Sequence, residues 1–244
     1  MALDLPTVIG HRGAAALAPE NTLAGFRAAA AAGAGWVEFD VKLSADGVAV
    51  LMHDDTLDRT TDGRGAVAAA PASAIAALDA GAWFGPAFRG EPVPTLAEAI
   101  AELARLGLGA NIEIKPCPGR AEATARAVAD MVAAHWPGSL PAPLLSSFEP
   151  ACLAVARTHA PALPRGLLLK RLAPGWRALA GSLGCASVNL GRRHASASGI
   201  AAVLAAGLTL VIWTVNEAVE AARLLAIGAS AIITDRPDAL MRRI

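Results

Sequence analysis

Two pairs of charged residues at alternate positions mark the first half of the chain: Glu38 with Asp40, and Glu113 with Lys115. Side chains alternate along a strand, so residues two apart share one face. Glu38 and Asp40 then point one way, with Val37, Phe39 and Val41 on the other. Three carboxylates converging in one place repel each other and lose solvation, so something positive must compensate. A single hard divalent cation with oxygen ligands, Mg²⁺ or Ca²⁺, meets that need, with Glu38, Asp40 and Glu113 as its donors. Ion pairing with Arg12 and Lys115 alone is the plainer alternative. His11 and His53 lie near the same strand ends and can give or accept a proton close to neutral pH. Arg12 and Lys115 suit an anionic substrate, since guanidinium grips phosphate at two points. No GxxxxGK[ST] loop, GxGxxG fingerprint or GxSxG elbow occurs, which disfavours nucleotide hydrolysis, dinucleotide redox chemistry and serine esterase chemistry. Two histidines, a metal and phosphate-binding cations together point to phosphodiester cleavage. His135, His159 and His194 fall on expected helix ends or loops and read as solvated surface.

These groups need elements to bring them together. A recurring unit supplies them: an Ala/Leu-rich helical segment, a glycine, then a β-rich run. Gly33 precedes Trp36–Asp40, Gly107 precedes Ala110–Ile114, and Gly184 precedes Ala186–Leu190. Gly207 precedes Leu210–Trp213, and Gly228 precedes Ala231–Thr234. Glycine just past a helix end adopts the left-handed conformation without a Cβ penalty. Thr7–Gly10, Leu144–Ser147 and Gly166–Leu169 complete eight expected strands. Asn21 is the expected cap of a helix over 22–32, and Thr95-Leu-Ala-Glu98 reads as a capping box opening a helix over 96–106. Strands alternating with helices mean a parallel sheet. Eight units in about 250 residues favour an α/β fold of the (β/α)8 TIM-barrel type, with active-site groups at the C-terminal strand ends. An open doubly wound sheet is the alternative.

The second unit breaks the rhythm. After a hairpin arm at 48–53, residues 54–94 hold Pro71, Pro86, Pro92 and Pro94 together with Ile75, Leu78, Trp83, Phe84 and Phe88. They read as an ordered insertion after the second strand, within one catalytic domain over 1–244. The chain is 55% hydrophobic and 17% charged, with 21 basic against 21 acidic residues. That balance excludes a disordered chain and argues against a nucleic-acid partner. Cys117, Cys152 and Cys185 are widely spaced and odd in number, so disulfides and zinc are disfavoured and a reducing compartment fits. Residues 1–10 lack a basic n-region and apolar core, so no signal peptide is expected, and the cytoplasm is the expected location. Residues 195–216 carry no charge over a length that could span a bilayer, but they read as a helix and a buried strand broken at Gly207. No stable membrane insertion is expected.

The ordered motifs resemble those of the glycerophosphodiester phosphodiesterase family, bacterial cytoplasmic type. They are Gly10-His-Arg-Gly13, Ala18-Pro-Glu-Asn-Thr22, Val37-Glu-Phe-Asp-Val41, Leu51-Met-His-Asp54 and Leu57-Asp-Arg-Thr-Thr61. Asp79-Ala-Gly-Ala-Trp83, Pro94-Thr-Leu96, Asn111-Ile-Glu-Ile-Lys115, Ser146-Ser-Phe148, Trp213-Thr-Val-Asn216 and Thr234-Asp235 follow in order. The resemblance implies a TIM barrel with a small insertion and a divalent metal on Glu38, Asp40 and Glu113. It implies His11 and His53 as general base and general acid, and Arg12 and Lys115 on the phosphate. Phe148 and Trp213 would line the pocket against the glycerol or the leaving group; from the residues alone they read as core. The implied substrate is a small glycerophosphodiester such as glycerophosphocholine or glycerophosphoethanolamine, cleaved to sn-glycerol 3-phosphate and an alcohol. Asn189, where relatives can carry histidine, and Lys170-Arg171 are departures expected to alter the pocket rim. Cleavage of lysophospholipids, with Trp83, Phe84 and Phe88 as an apolar rim, and a non-catalytic barrel are the alternative readings.

Overall fold

In a computed structural model, which describes residues 3–244, the expected rhythm of strands and helices is present. The strands are β1 (Val8–Gly10), β2 (Trp36–Leu43), β3 (Ala49–Leu51), β4 (Gly109–Ile114), β5 (Leu144–Ser147), β6 (Arg165–Leu169), β7 (Ser187–Gly191), β8 (Thr209–Trp213) and β9 (Ala231–Thr234). All but β3 run parallel, in the order β1-β9-β8-β7-β6-β5-β4-β2, and β1 pairs with β2 to close the barrel. β3 lies antiparallel on β2, with Val41 opposite Leu51. The helices are α1 (Leu23–Ala31), α2 (Ala72–Ala76), α3 (Leu96–Leu106), α4 (Ala121–His135), α5 (Pro150–His159), α6 (Trp176–Ser182), α7 (Ala197–Leu204), α8 (Ala218–Ala226) and α9 (Pro237–Met241).

Period-two alternation divides the core. On β2, Val37, Phe39 and Val41 face outward into the layer shared with the helices, where Phe39 meets Phe26 of α1 at 5.2 Å between ring centroids. The barrel interior is closed by a separate cluster of Ile9, Trp36, Leu144, Val211, Ala231 and Ile233. Glu38 and Asp40 share the inner side and are buried there. Thr95 and Glu98 form both halves of a capping box at the start of α3, and Gly107 ends that helix at φ 68°. The uncharged stretch 195–216 resolves into α7, a turn at Gly207 and β8; among the described residues no helix is long and apolar enough to cross a membrane.

One cap differs from expectation. Thr22, not Asn21, caps α1 and accepts the amide of Gly25 at 3.1 Å. Asn21 sits at φ 56° and turns inward, donating to Asp40 Oδ2 at 3.0 Å and accepting the amide of Asp40 at 3.1 Å. Asparagine tolerates the left-handed region, which leaves its side chain free for the site.

Between β3 and α3 the chain folds over its own small cluster of Leu57, Val67, Ile75, Ala80 and Val93 against Val50, Met52 and Cys117. The Asp79 carboxylate accepts the amides of Gly81, Ala82 and Gly90 at 2.8, 2.8 and 2.9 Å, tying two turns together. The aromatic residues of this segment are less buried than their types suggest. Trp83 is 41% exposed, and Trp83, Phe84 and Phe88 meet edge to face at 5.6 and 5.4 Å.

The turn after β1 depends on two glycines. A Cβ on Gly10 would lie 2.0 Å from the Gly13 carbonyl oxygen, and one on Gly13 (φ 89°) would lie 2.6 Å from the Gly25 backbone of α1. Gly47 has a similar φ of 83° with open space around it. Gly47→Ala is therefore expected to lower stability by about 1 kcal/mol, the cost of the left-handed backbone alone. Gly13→Ala adds a backbone clash, costing about 2 kcal/mol more. Urea unfolding of both variants checks this; equal losses would remove the clash from the account.

Candidate active site

The C-terminal ends of β1, β2, β4, β5 and β8 bring His11, Arg12, Glu38, Asp40, Glu113, Phe148 and Trp213 to one cavity of about 90 Å³, and the turn after β3 adds His53. Lys115 lies just outside, in an adjoining cleft, with Nζ reaching in to Glu113 Oε1 at 2.9 Å and Asp40 Oδ1 at 3.2 Å. All nine residues expected of the site are thus brought together.

Glu38, Asp40 and Glu113 are buried, and one oxygen of each lies within 4.8 Å of the others. Burial and the charges of Asp40 and Glu113 push the Glu38 carboxyl well above its usual range. Burial and the Asp40 charge push Glu113 up to about 7. Burial acts on Asp40 in the same direction, but Lys115, Arg12 and His53 outweigh it and hold Asp40 well below the usual carboxylate range. Register explains the convergence: Asp40 on β2 stands opposite Glu113 on β4. Three oxygen donors that resist full ionisation together are what a hard divalent cation fits, so this triad could hold one. Asn111 supports that fit: it lines the same cavity, is 1% exposed, and neither carboxamide atom has a hydrogen-bond partner.

The cations are already tied to acids. Arg12 donates from Nη1 to Glu20 Oε1 at 2.7 Å, and its Nε stands 3.4 Å from Asp40 Oδ2 without a hydrogen bond. Its backbone amide donates to Glu38 Oε2 at 3.1 Å. Phe148 and Trp213 meet at right angles with centroids 5.4 Å apart, and Lys115 Nζ lies 5.9 Å from the Phe148 ring.

Each histidine uses Nδ1 against an aspartate. His11 Nδ1 is 2.6 Å from Asp235 Oδ1, and Asn216 donates to the other oxygen of Asp235 at 2.7 Å. Its Nε2 is 3.8 Å from Glu38 Oε2. His53 Nδ1 is 2.7 Å from Asp54 Oδ1, and Arg59 donates to Asp54 Oδ2 at 2.6 Å. Burial is the main influence holding the His53 imidazole below the usual histidine range. Burial opposes ionisation of Asp235, but His11 and Asn216 keep its carboxyl below the ordinary value. The two rings also open onto different clefts: His11 onto one of about 900 Å³, His53 onto one of about 600 Å³.

Several of these partners carried no assignment from sequence. Glu20, Asp54, Arg59, Asn216 and Asp235 lie inside the quoted motifs, which are their only signal, and Asn21 reads from sequence as a helix cap rather than as a site residue. Lys42 continues the alternation of Glu38 and Asp40; it is buried and donates to Asp55 Oδ1 at 2.6 Å. Asn189 is not at the rim: it is buried inside the barrel, and its side-chain oxygen accepts from Ser187 while its carbonyl accepts the Trp213 indole. Lys170 and Arg171 are exposed beyond the end of β6. His135 and His194 are exposed, and His159 pairs with Asp130 at 2.8 Å.

The profile of the glycerophosphoryl diester phosphodiesterase family matches residues 11–239. A glycerophosphodiester phosphodiesterase of Caldanaerobacter subterraneus is 34% identical over 239 residues, covering 96% of this chain and 96% of that protein. A phosphodiesterase of Oleispira antarctica, solved with the product sn-glycerol 3-phosphate, is similar with a TM-score of 0.95 and 38% identity, over 98% of this chain and 96% of that one. A glycerophosphodiester phosphodiesterase of Agrobacterium tumefaciens is similar with a TM-score of 0.83 and 30% identity, over 98% of this chain and 100% of that one.

The raised Glu113 carboxyl has a consequence for stability. Its proton is held more tightly in the folded than in the unfolded chain, so its contribution is fully present below the unfolded value of 4.5 and is lost as pH rises through about 7. Metal-free protein is expected to lose stability across that window, and Glu113→Gln to flatten the slope. A divalent cation at 100 times its Kd would add about 2.7 kcal/mol, raising Tm by roughly 5–10 °C. Thermal unfolding with and without chelator, at pH 5 to 8, measures both; a pH-independent Tm that ignores added Mg²⁺ and Ca²⁺ would remove the metal assignment.

Proposed function

The chain belongs to the glycerophosphoryl diester phosphodiesterase family, and from that premise we propose that it hydrolyses small glycerophosphodiesters, such as glycerophosphocholine or glycerophosphoethanolamine, to sn-glycerol 3-phosphate and an alcohol, by histidine acid–base catalysis at a metal-assisted site. The observation that carries this is the placement of two histidines around one carboxylate-lined cavity. Each is oriented by an aspartate at Nδ1, and each borders a different cleft.

In-line displacement at phosphorus needs the attacking and leaving oxygens on opposite sides. His11 takes the proton of the attacking oxygen at Nε2, while Asp235 holds Nδ1 and supports the imidazolium that forms. The new P–O bond forms as the P–O bond to the alcohol breaks. His53 delivers a proton from Nε2 to the departing alkoxide. The attacking oxygen is water, or the glycerol hydroxyl of the substrate followed by hydrolysis of a cyclic phosphate. Arg12 and Lys115 neutralise charge on the phosphoryl group as it builds. Phe148 and Trp213 form an apolar wall against the glycerol carbons. Glu38, Asp40 and Glu113 would hold the divalent cation, Mg²⁺ or Ca²⁺, which when bound supplies Lewis-acid polarisation of a phosphoryl oxygen.

In this reading residues 1–244 act as one catalytic domain, with 54–94 as its insertion. The free, buried cysteines fit a cytoplasmic setting. One observation favours a second substrate class: exposed Trp83 and half-buried Phe84 border the cleft at His11, as an apolar rim for a lysophospholipid would.

The test is release of glycerol 3-phosphate from glycerophosphocholine, compared with turnover of lysophosphatidylcholine. His11→Ala and His53→Ala are each expected to lower kcat by about 10²–10⁴-fold. Chelation is expected to abolish turnover, and a single added divalent cation to restore it. Unchanged kcat in both histidine variants would end the acid–base assignment, and faster cleavage of the lysolipid would move the substrate class.

A further inference from the structure

Arg59 lies in the segment between β3 and α3, away from the barrel strands, yet all three of its guanidinium nitrogens are engaged next to the site. Nε donates to Asp54 Oδ2 at 2.6 Å and Nη2 to Asp54 Oδ1 at 3.1 Å. Nη1 donates to Glu20 Oε2 at 2.8 Å and Nη2 to Glu20 Oε1 at 2.7 Å. One guanidinium therefore holds two carboxylates, each at two points. Both carboxylates have a second partner inside the site. Asp54 Oδ1 accepts from His53 Nδ1 at 2.7 Å, and Glu20 Oε1 accepts from Arg12 Nη1 at 2.7 Å. The result is an unbroken chain from Arg12 through Glu20, Arg59 and Asp54 to His53.

We propose that Arg59 is a positioning residue for the phosphodiesterase reaction: it fixes the His53 ring and the Arg12 guanidinium together, through Asp54 and Glu20, and so makes the segment that carries it part of a competent site. The proposal rests on the functional reading above. Stability alone does not account for the arrangement. The Arg59 side chain is 45% exposed, against 28% for Asp54 and 10% for Glu20, so solvent screens its charge even though a two-point network adds more than an isolated surface pair. What a planar, two-point grip adds is orientation. A lysine cannot replace it, because a point charge with three donors cannot span both carboxylate forks at once. Without the grip, Asp54 can swing on the surface and carry the His53 ring with it, and Glu20 no longer fixes Arg12. A displacement near 1 Å at a reacting group is enough for a large loss of rate.

The experiment compares wild type, Arg59→Ala, Arg59→Lys and the control Arg64→Ala. Arg64 is 88% exposed and stands 3.9 Å from Asp58, outside the chain of contacts. The readouts are kcat and KM on glycerophosphocholine, Tm, recovery by millimolar guanidinium, and ¹⁵N imidazole spectra of the histidines. Arg59→Ala is expected to lose about 10–100-fold in kcat, with Tm lowered by no more than a few degrees. Guanidinium added to Arg59→Ala is expected to recover part of the rate, because the vacated site is open to solvent. Arg59→Lys should fall between, and Arg64→Ala should match wild type. The His53 resonances should move in Arg59→Ala while those of His135 and His194 stay. Turnover within twofold of wild type with unmoved His53 signals would overturn the proposal. So would a loss that guanidinium leaves untouched while every histidine signal shifts, since that is global disruption. Wild-type protein inactive on the diester, with His53 signals that still move in Arg59→Ala, would fault the substrate reading and support the clamp.

Discussion

Everything at the barrel mouth follows from burying three carboxylates within 4.8 Å of one another. Such a cluster is unstable alone, because each charge is desolvated and repelled by the other two. The surrounding residues are arranged to counter that. Arg12 and Lys115 lie near different oxygens of Asp40, which becomes the most firmly ionised of the three. Asn21 adds a donor to Asp40, and the Arg12 amide adds one to Glu38. Glu38 and Glu113 keep a raised demand for positive charge, met by a proton or by a cation. The same imbalance that burdens folding is what would let the triad hold a cation.

The inner face of β2 links this cluster to the histidine on the far side. Glu38 and Asp40 occupy successive inward positions, and Lys42 is next. Its ammonium meets Asp55 at 2.6 Å and the Lys115 carbonyl at 3.3 Å. Asp55 follows Asp54, the partner of His53, so one strand sets the carboxylates and also anchors the turn that carries a histidine. On the other side, the Gly10–Gly13 turn brings His11 and Arg12 over the barrel because neither glycine has a side chain to obstruct it.

How much of this is readable without coordinates depends on the range of the contact. The eight-strand rhythm, the capping box of α3 and the shared face of Glu38 and Asp40 come from local periodicities of 3.6 and 2, and they appear as expected. The Ala-rich uncharged stretch is also readable, since Gly207 splits it. Asn21 misleads because asparagine is a good helix cap and nothing local says that Asp40, 19 residues away, competes for its side chain. Asp235 lies 224 residues from His11, and only closure of β1 against β9 brings them together. Arg59 sits in a stretch without periodicity, where no pattern reports which way a side chain points. The small cluster under the insertion is filled by smaller side chains, which leaves the Trp83 and Phe84 rings at the cleft.

The two histidines are supported differently, and the difference matters for how the fold can change its chemistry. Asp235 directly follows β9 and Asn216 lies in the turn after β8, both strands hydrogen-bonded within the closed barrel, and the two residues stand behind His11. Asp54 and Arg59, behind His53, belong to a segment with its own small core. The barrel can therefore keep the carboxylates and one histidine fixed while the segment varies in length and surface. Such variation reaches the second histidine through Arg59 and Asp54. Trp83 and Phe84, which border the His11 cleft, are carried by the same segment, so part of that cleft's wall and the residues behind His53 are coupled through one piece of chain. A change to the wall of the His11 cleft within this segment would have to leave the Arg59 grip on Asp54 intact, or it would also loosen the support behind His53.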